Sequence, residues 1–271
     1  MRATSTSALA RAEERWEPVL RDSGESARGY GEQLFGVVDL LDSAVALRRA
    51  LTDPSRDGAD RAKLAQAVLG GKVEPEVLDL VAGLVRERWS EAADLTDAVE
   101  ALAASSVLAS AQQAGRLEEV EDEVYRLDRI LIDQRELRRA LSAHERSDED
   151  RGRLMSSVLG GKVTPESELL AVRAASAPRG RSVHSLLRGI AEQAAARRQR
   201  LVASVTSAVP LTDAQIDRLT DILQRQHGSE VQIHVGIDPE VVGGLRVQVG
   251  DNVVDATLAS RIADARRRLA G

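Results

Sequence analysis

From the N-terminus to about residue 200, apolar side chains return every three or four positions. That period places them on one face of a helix. It predicts helices over Ser7–Leu20, Glu25–Leu51, Gly58–Leu69, Pro75–Arg88 and Glu91–Ala111, with Asp53-Pro54 separating the second from the third. A further helix opens near Arg116, where Leu117, Val120, Val124, Leu127 and Leu131 keep a 3-4-3-4 spacing that fails at Gln134 and Arg138. Two heptads are too few for a coiled coil, so this is read as an amphipathic bundle helix. The pattern leaves open whether it continues unbroken from the helix before it. Beyond Arg200 the period changes to two. A β-rich run precedes Pro210, and Thr212-x-x-Gln215 is a capping box that opens a helix to about Gln226. Val231, Ile233 and Val235 alternate as in a half-buried strand, as do Leu245, Val247 and Val249. Gly250-Asp251-Asn252 turns the chain into a short strand over Val253–Asp255. A last helix, Thr257–Leu269, carries Leu258, Ile262, Ala265 and Leu269 on one face, and Arg266–Arg268 complement its negative end.

The hexapeptide VLGGKV stands at Val68–Val73 and again at Val158–Val163. It is not a phosphate loop. Val73 and Val163 occupy the position where a hydroxyl would ligate magnesium, and helical spacing, not a strand, precedes each copy. The glycines are placed to end a helix, and Pro75 and Pro165 to begin the next. The hexapeptide belongs to a longer duplication offset by 90 positions. Leu47–Leu51 repeats at Leu137–Leu141, Asp60-Arg61 at Asp150-Arg151 and Pro75-Glu76 at Pro165-Glu166. More than half of the positions from Leu47 to Glu76 are identical to their counterparts. One helical unit was copied. The expected fold is mainly α: two tandem helical bundles, over 1–114 and 115–200, and a small α+β domain over 201–271.

Composition narrows the chemistry. Aromatics make up only 2% of the chain, so its core must be aliphatic, and with no cysteine it has neither disulfides nor thiolate metal sites. A net charge of −6 opposes a dedicated nucleic-acid binder. The first residues lack the apolar stretch of a secretory signal, and no run approaches the roughly 18 residues of a membrane span. The expectation is a protein that is soluble, or held at a membrane only by partners. His144, His184, His227 and His234 match no metal spacing. Glu118, Glu119, Glu121, Asp122 and Glu123 read as a solvated helix face. The basic stretch from Arg179 to Arg200 has a stripe of Leu186, Leu187, Ile190 and Ala194. It is expected to pack that stripe into a bundle and turn its arginines to water or an acidic partner; contact with anionic membrane is the lesser alternative. No nucleophile, metal or cofactor motif is found, so no catalytic, cofactor-binding or metal site is expected.

The segment VTSAVPLTDAQIDRL, followed by VQIHVGIDPEVVGGLRVQVGDNVVDATLASRIADARRRL, resembles the delta subunits of F-type ATP synthases, whose mitochondrial relatives confer oligomycin sensitivity. The resemblance is carried by Pro210 in its strand-to-helix step, Asp238, Pro239, Gly243 and Gly244 in a turn, and Gly250, Asp251 and Asp255 in a hairpin. Family members ordinarily have one bundle. The second copy departs from that pattern and is similar to long forms in some high-GC Gram-positive bacteria. Ser7-Ala8-Leu9 also lacks the family's usual aromatic in the first helix. The resemblance implies a non-catalytic stator subunit that resists rotor torque. Its bundle would grip N-terminal helices of the alpha subunits of the catalytic head, and its C-terminal domain would hold the distal end of the b stalk, at the cytoplasmic face of a bacterial cell membrane. The alternative is a helical adaptor unrelated to ATP synthase.

Overall fold

A computed structural model describes residues 1–142, 146–199, 202–227, 232–238, 244–249 and 252–255. The chain divides into two compact units, Met1–Ala191 and Glu192–Gly271. The fold is mainly α with a small α+β part.

The first unit holds α1 (Ala3–Ser23), a 3-10 turn (Gly24–Ser26), α2 (Ala27–Ser43), α3 (Val45–Thr52), α4 (Gly58–Leu69), α5 (Pro75–Arg86), α6 (Ala92–Gln113), α7 (Leu117–Asp133), α8 (Arg135–Ser142), α9 (Asp148–Leu159), α10 (Pro165–Ser176) and the start of α11 (Val183–Gln199). The duplication is written into these bounds. Moved on by 90, the limits of α2, α3, α4 and α5 fall on those of α7, α8, α9 and α10. Moved likewise, α1 falls on α6 and α6 on α11, within a residue or a few. Helix α6 therefore closes the first copy and opens the second. Its burial agrees with that double use: Leu95, Val99, Leu102, Ala103, Val107, Leu108 and Ala111 are buried, leaving only a narrow, partly exposed stripe that includes Ala93 and Asp97.

One sequence expectation needs correction, and one question left open by the sequence is answered. The helix read as Glu25–Leu51 is broken at Ala44, whose backbone leaves the helical region. Arg48 Nη1 donates to the freed Leu41 carbonyl at 3.2 Å, and in the second copy Arg138 Nη1 donates to the Leu131 carbonyl at 3.3 Å across the equivalent break at Gln134. An arginine side chain thus replaces the lost helical donor, so neither glycine nor proline is needed to stop the helix. Nor does α6 run on into α7. Gly115, at φ 69°, turns the chain between them, and Arg116 N–H reaches back to the Ala111 carbonyl at 2.8 Å.

Other expectations hold. The paired glycines end α4 and α9, with Gly71, Gly160 and Gly161 at positive φ, and Pro75 and Pro165 begin the helices that follow. The five apolar residues of α7 are buried. Trp16, one of the few aromatics, is held between α2 and α6: its ring lies 5.5 Å from that of Tyr30, and its Nε1–H donates to Ser106 Oγ at 2.9 Å.

The second unit carries β1 (Val202–Ser207), α12 (Asp213–His227), β2 (Gln232–Ile237), β3 (Leu245–Val249) and β4 (Asn252–Asp255) in sheet order β2-β1-β3-β4. β1 and β2 are parallel, joined through α12, and the other pairings are antiparallel. Val205, Leu223 and Val247 form the core, with Leu211, Leu219, Ile233 and Leu245 around it. The Thr212 backbone N–H donates to Gln215 Oε1 at 2.9 Å, as the capping box requires. The helix expected over Thr257–Leu269 lies outside the described residues.

Candidate docking groove and the seam between the copies

Helices α1 and α5 leave an open trough of about 430 Å³. Trp16, Val19 and Leu80 line its apolar part, Gly83 leaves room above α5, and Arg15, Arg86, Glu76 and Asp79 are among its charged residues. No nucleophile stands beside a base here. The surface offers apolar contact with charge at its margins, which suits a peptide helix better than a reacting small molecule.

A second feature is the seam where the two copies meet. Arg173 of α10 forks onto Asp39 of α2 at 2.7 and 2.8 Å and lies over the Phe35 ring, 4.9 Å from its centroid. Arg179, just past α10, reaches Asp42 at 2.6 Å and Asp97 and Glu100 at 2.8 Å each; Arg181 also pairs with Glu100. Burial alone would lower the pKa of Arg179, but Glu100, Asp42 and Asp97 outweigh it and hold the guanidinium above the ordinary arginine range. The basic stretch thus meets an acidic partner within its own chain, and of its expected apolar stripe Leu187 and Ala194 are buried while Leu186 and Ile190 are half-buried.

Arg179 is also the described non-glycine residue with positive φ, at 51°. Its three carboxylates hold a backbone conformation that costs a non-glycine residue about 1–2 kcal/mol. Arg179→Ala is expected to destabilise the first unit by about 2 kcal/mol, because charge-assisted bonds are lost and three carboxylates remain crowded. Arg179→Gly should recover about 1 kcal/mol of that by relieving the backbone. Equal urea midpoints for the two variants would contradict this account.

Some functional side chains went unseen in the sequence. Glu123, read as part of a solvated face, accepts the Thr164 backbone N–H at 3.0 Å and its hydroxyl at 2.8 Å, so it holds the residue that caps α10. Gln33, its counterpart in the first copy, accepts the Glu74 N–H at 2.7 Å, so the same link is made in both copies. Arg116 binds the buried Glu166 at 2.6 Å, which raises the arginine's pKa. His184 pairs with Asp128. His144 lies outside the described residues.

Of the residues that carried the resemblance, the described ones lie towards the end of the sheet where β1 finishes at Ser207. Pro210 is exposed before α12. Asp238 N–H continues the sheet by donating to the Ser207 carbonyl at 2.9 Å, Gly244 has φ 92°, and Asp255 pairs with Arg246 in the β3–β4 ladder. Pro239, Gly243, Gly250 and Asp251 lie outside the described residues.

An open apolar trough, an ion-paired seam and buried helical rods define a structural connector, a protein that works through interfaces. Residues 103–269 match the family described as ATP synthase delta (OSCP) subunit. The ATP synthase subunit delta of Beutenbergia cavernae is 56% identical over the full length of both chains, and that of Streptomyces griseus 45% identical, again over all of both. A chain of the Toxoplasma gondii mitochondrial ATP synthase is a distant likeness: 19% identity, a TM-score of 0.31, and coverage of 62% of this chain and 95% of that one.

The chain belongs to the ATP synthase delta (OSCP) subunit family. It is a non-catalytic, peripheral-stalk subunit of an F-type ATP synthase, and the unrelated-adaptor alternative falls away. It is peripheral to the membrane as part of that complex; among the described residues no helix is long and apolar enough to cross one.

Proposed function

We propose that this subunit ties the alpha subunits of the catalytic head to the distal end of the b stalk, at the cytoplasmic face of a bacterial membrane. Unless the head is held still, rotor torque is lost as co-rotation and proton flow makes no ATP. The holding element needs rods and interfaces, not reacting groups. We assign the work to three stretches: the bundles of 1–114 and 115–200, and the α+β domain of 201–271. The α1–α5 trough receives an N-terminal helix of an alpha subunit, and the C-terminal domain, with its resemblance motif at Pro210, Asp238, Pro239, Gly243, Gly244, Gly250, Asp251 and Asp255, takes the b end. Several modest contacts engaged together sum to tight attachment.

The trough itself carries this reading, because its apolar floor and charged margins fit an amphipathic helix. Val19→Asp is expected to weaken binding of a synthetic alpha N-terminal peptide roughly tenfold or more, as a carboxylate is buried in an apolar contact. Titration calorimetry checks it, and unchanged affinity would move the site elsewhere. In reconstituted membranes lacking this chain, proton-driven ATP synthesis should vanish while the free head still hydrolyses ATP. Normal coupling in its absence would refute the proposal.

A further inference from the structure

The repeat builds the trough twice. Moved on by 90, α1 and α5 become α6 and α10, and the residues Trp16, Val19, Leu80 and Gly83 become Ser106, Ala109, Leu170 and Arg173. The first trough is open, with Glu76 exposed at its edge; its counterpart Glu166 is only 1% exposed. Something covers the second trough, and the contacts identify it. In the turn just before α2, the Glu25 carbonyl accepts Ser110 Oγ–H of α6 at 2.9 Å, and Arg116 links Glu25 to Glu166 of α10. Midway, Gly31 lies against α6 so closely that a Cβ would sit 2.6 Å from Val107 Cγ2. Towards its end, Phe35 and Asp39 take Arg173 of α10. At its last turn Asp42 takes Arg179. Helix α2 thus packs along α6 and meets α10 through Arg173, with Arg116 and Arg179 linking its two ends to the ends of α10; the order of these contacts makes it parallel to α10.

We infer that α2 is the resident occupant of the second trough, so that the chain carries two helix-binding troughs and offers only the first to a partner. The inference rests on the alpha-helix reading of the first trough and deepens it in two ways. The subunit takes one such helix through this site, not two. By the same geometry that helix lies parallel to α5, its amino end towards Pro75 and its carboxyl end towards Arg86. A small residue midway would let it approach α1 as Gly31 approaches α6, and an acidic residue near its end would find Arg86, one turn beyond Gly83, the counterpart of Arg173.

Hydrogen exchange of the full chain, titrated with a synthetic peptide of the alpha N-terminal helix, tests this. One peptide should bind per chain and slow exchange in α5 while leaving α10 unchanged. Two peptides per chain, or slowing in α10, would overturn the inference while sparing the alpha-helix reading. A second arm needs no partner. Asp39→Arg sets like charge against Arg173 and Arg179 and should speed exchange in α10 roughly tenfold, with α5 unaffected. Arg173→Met should act in the same direction if the reversal does not fold. Exchange in α10 unmoved by both substitutions overturns the occupancy whatever the peptide does. Faster α10 exchange with no peptide bound upholds it and removes the alpha-helix reading alone.

Discussion

Replacing Arg61 by alanine is expected to destabilise the first unit by about 3 kcal/mol, the largest effect foreseen for a single polar side chain here. Arg61 is only 4% exposed. Its guanidinium donates to the carbonyls of Asp53 and Val85 at 2.8 Å, Arg86 at 3.0 Å and Glu87 at 3.3 Å. Three of these belong to the end of α5, where the helix has no donors of its own and carries partial negative charge. Each charge-assisted bond contributes about 1.5–3 kcal/mol, and every acceptor left dry costs more; relief from burying the cation offsets part of the sum. Arg61→Lys should rescue little, because an ammonium lacks the planar fork that serves four acceptors. Arg56→Ala, at an exposed position, is the control and should change the urea midpoint hardly at all. The twin Arg151 keeps one carbonyl of α10, that of Ala175, at 3.0 Å and shares its fork with the exposed Asp148, so Arg151→Ala should cost less. A loss below about 1 kcal/mol for Arg61→Ala would show that the α5 end is held by something else.

Gly31→Leu is expected to cost about 3 kcal/mol or more and to impair coupling in reconstituted membranes. An added Cβ would lie 2.6 Å from Val107 Cγ2 and 2.9 Å from the Ala103 carbonyl oxygen. The methyl can turn aside, but the carbonyl belongs to the α6 backbone and cannot. Glycine is itself a poor helix former, so substitution returns about 1 kcal/mol of propensity. The steric term outweighs that, because the whole α2–α6 contact must open to admit leucine. Gly36 supplies the comparison within the same helix: its Cβ position has nothing within 4 Å. Gly36→Leu should therefore be neutral or mildly stabilising. Thermal unfolding of the two variants separates packing from propensity, and equal melting points would remove the close-approach argument.

Much of this architecture was legible in the sequence, for identifiable reasons. The bounds of α4 were readable because glycines at one end and a polar run at the other punctuate it. The change of period after residue 200 marked the sheet, and Thr212 and Gln215 announced α12. The breaks at Ala44 and Gln134 were not legible alone, since the residues that permit them, Arg48 and Arg138, sit several positions downstream and act through side chains. The trough was hidden for a different reason. Its walls come from α1 and α5, far apart in sequence, and no motif marks a surface defined by what fails to cover it. The seam was half visible: a basic stretch was evident, but its acids, Asp39, Asp42, Asp97 and Glu100, lie too far upstream for pattern alone to join them.

The double membership of α6 has a mechanical corollary. Like adjoining houses with a party wall, the two copies have no corridor between them that could swivel. Torsion entering one must be transmitted through the same twenty-odd peptide units that frame the other. Growth by copying therefore lengthened this subunit without adding a joint, and a coupling element that must not yield gains reach at no loss of stiffness.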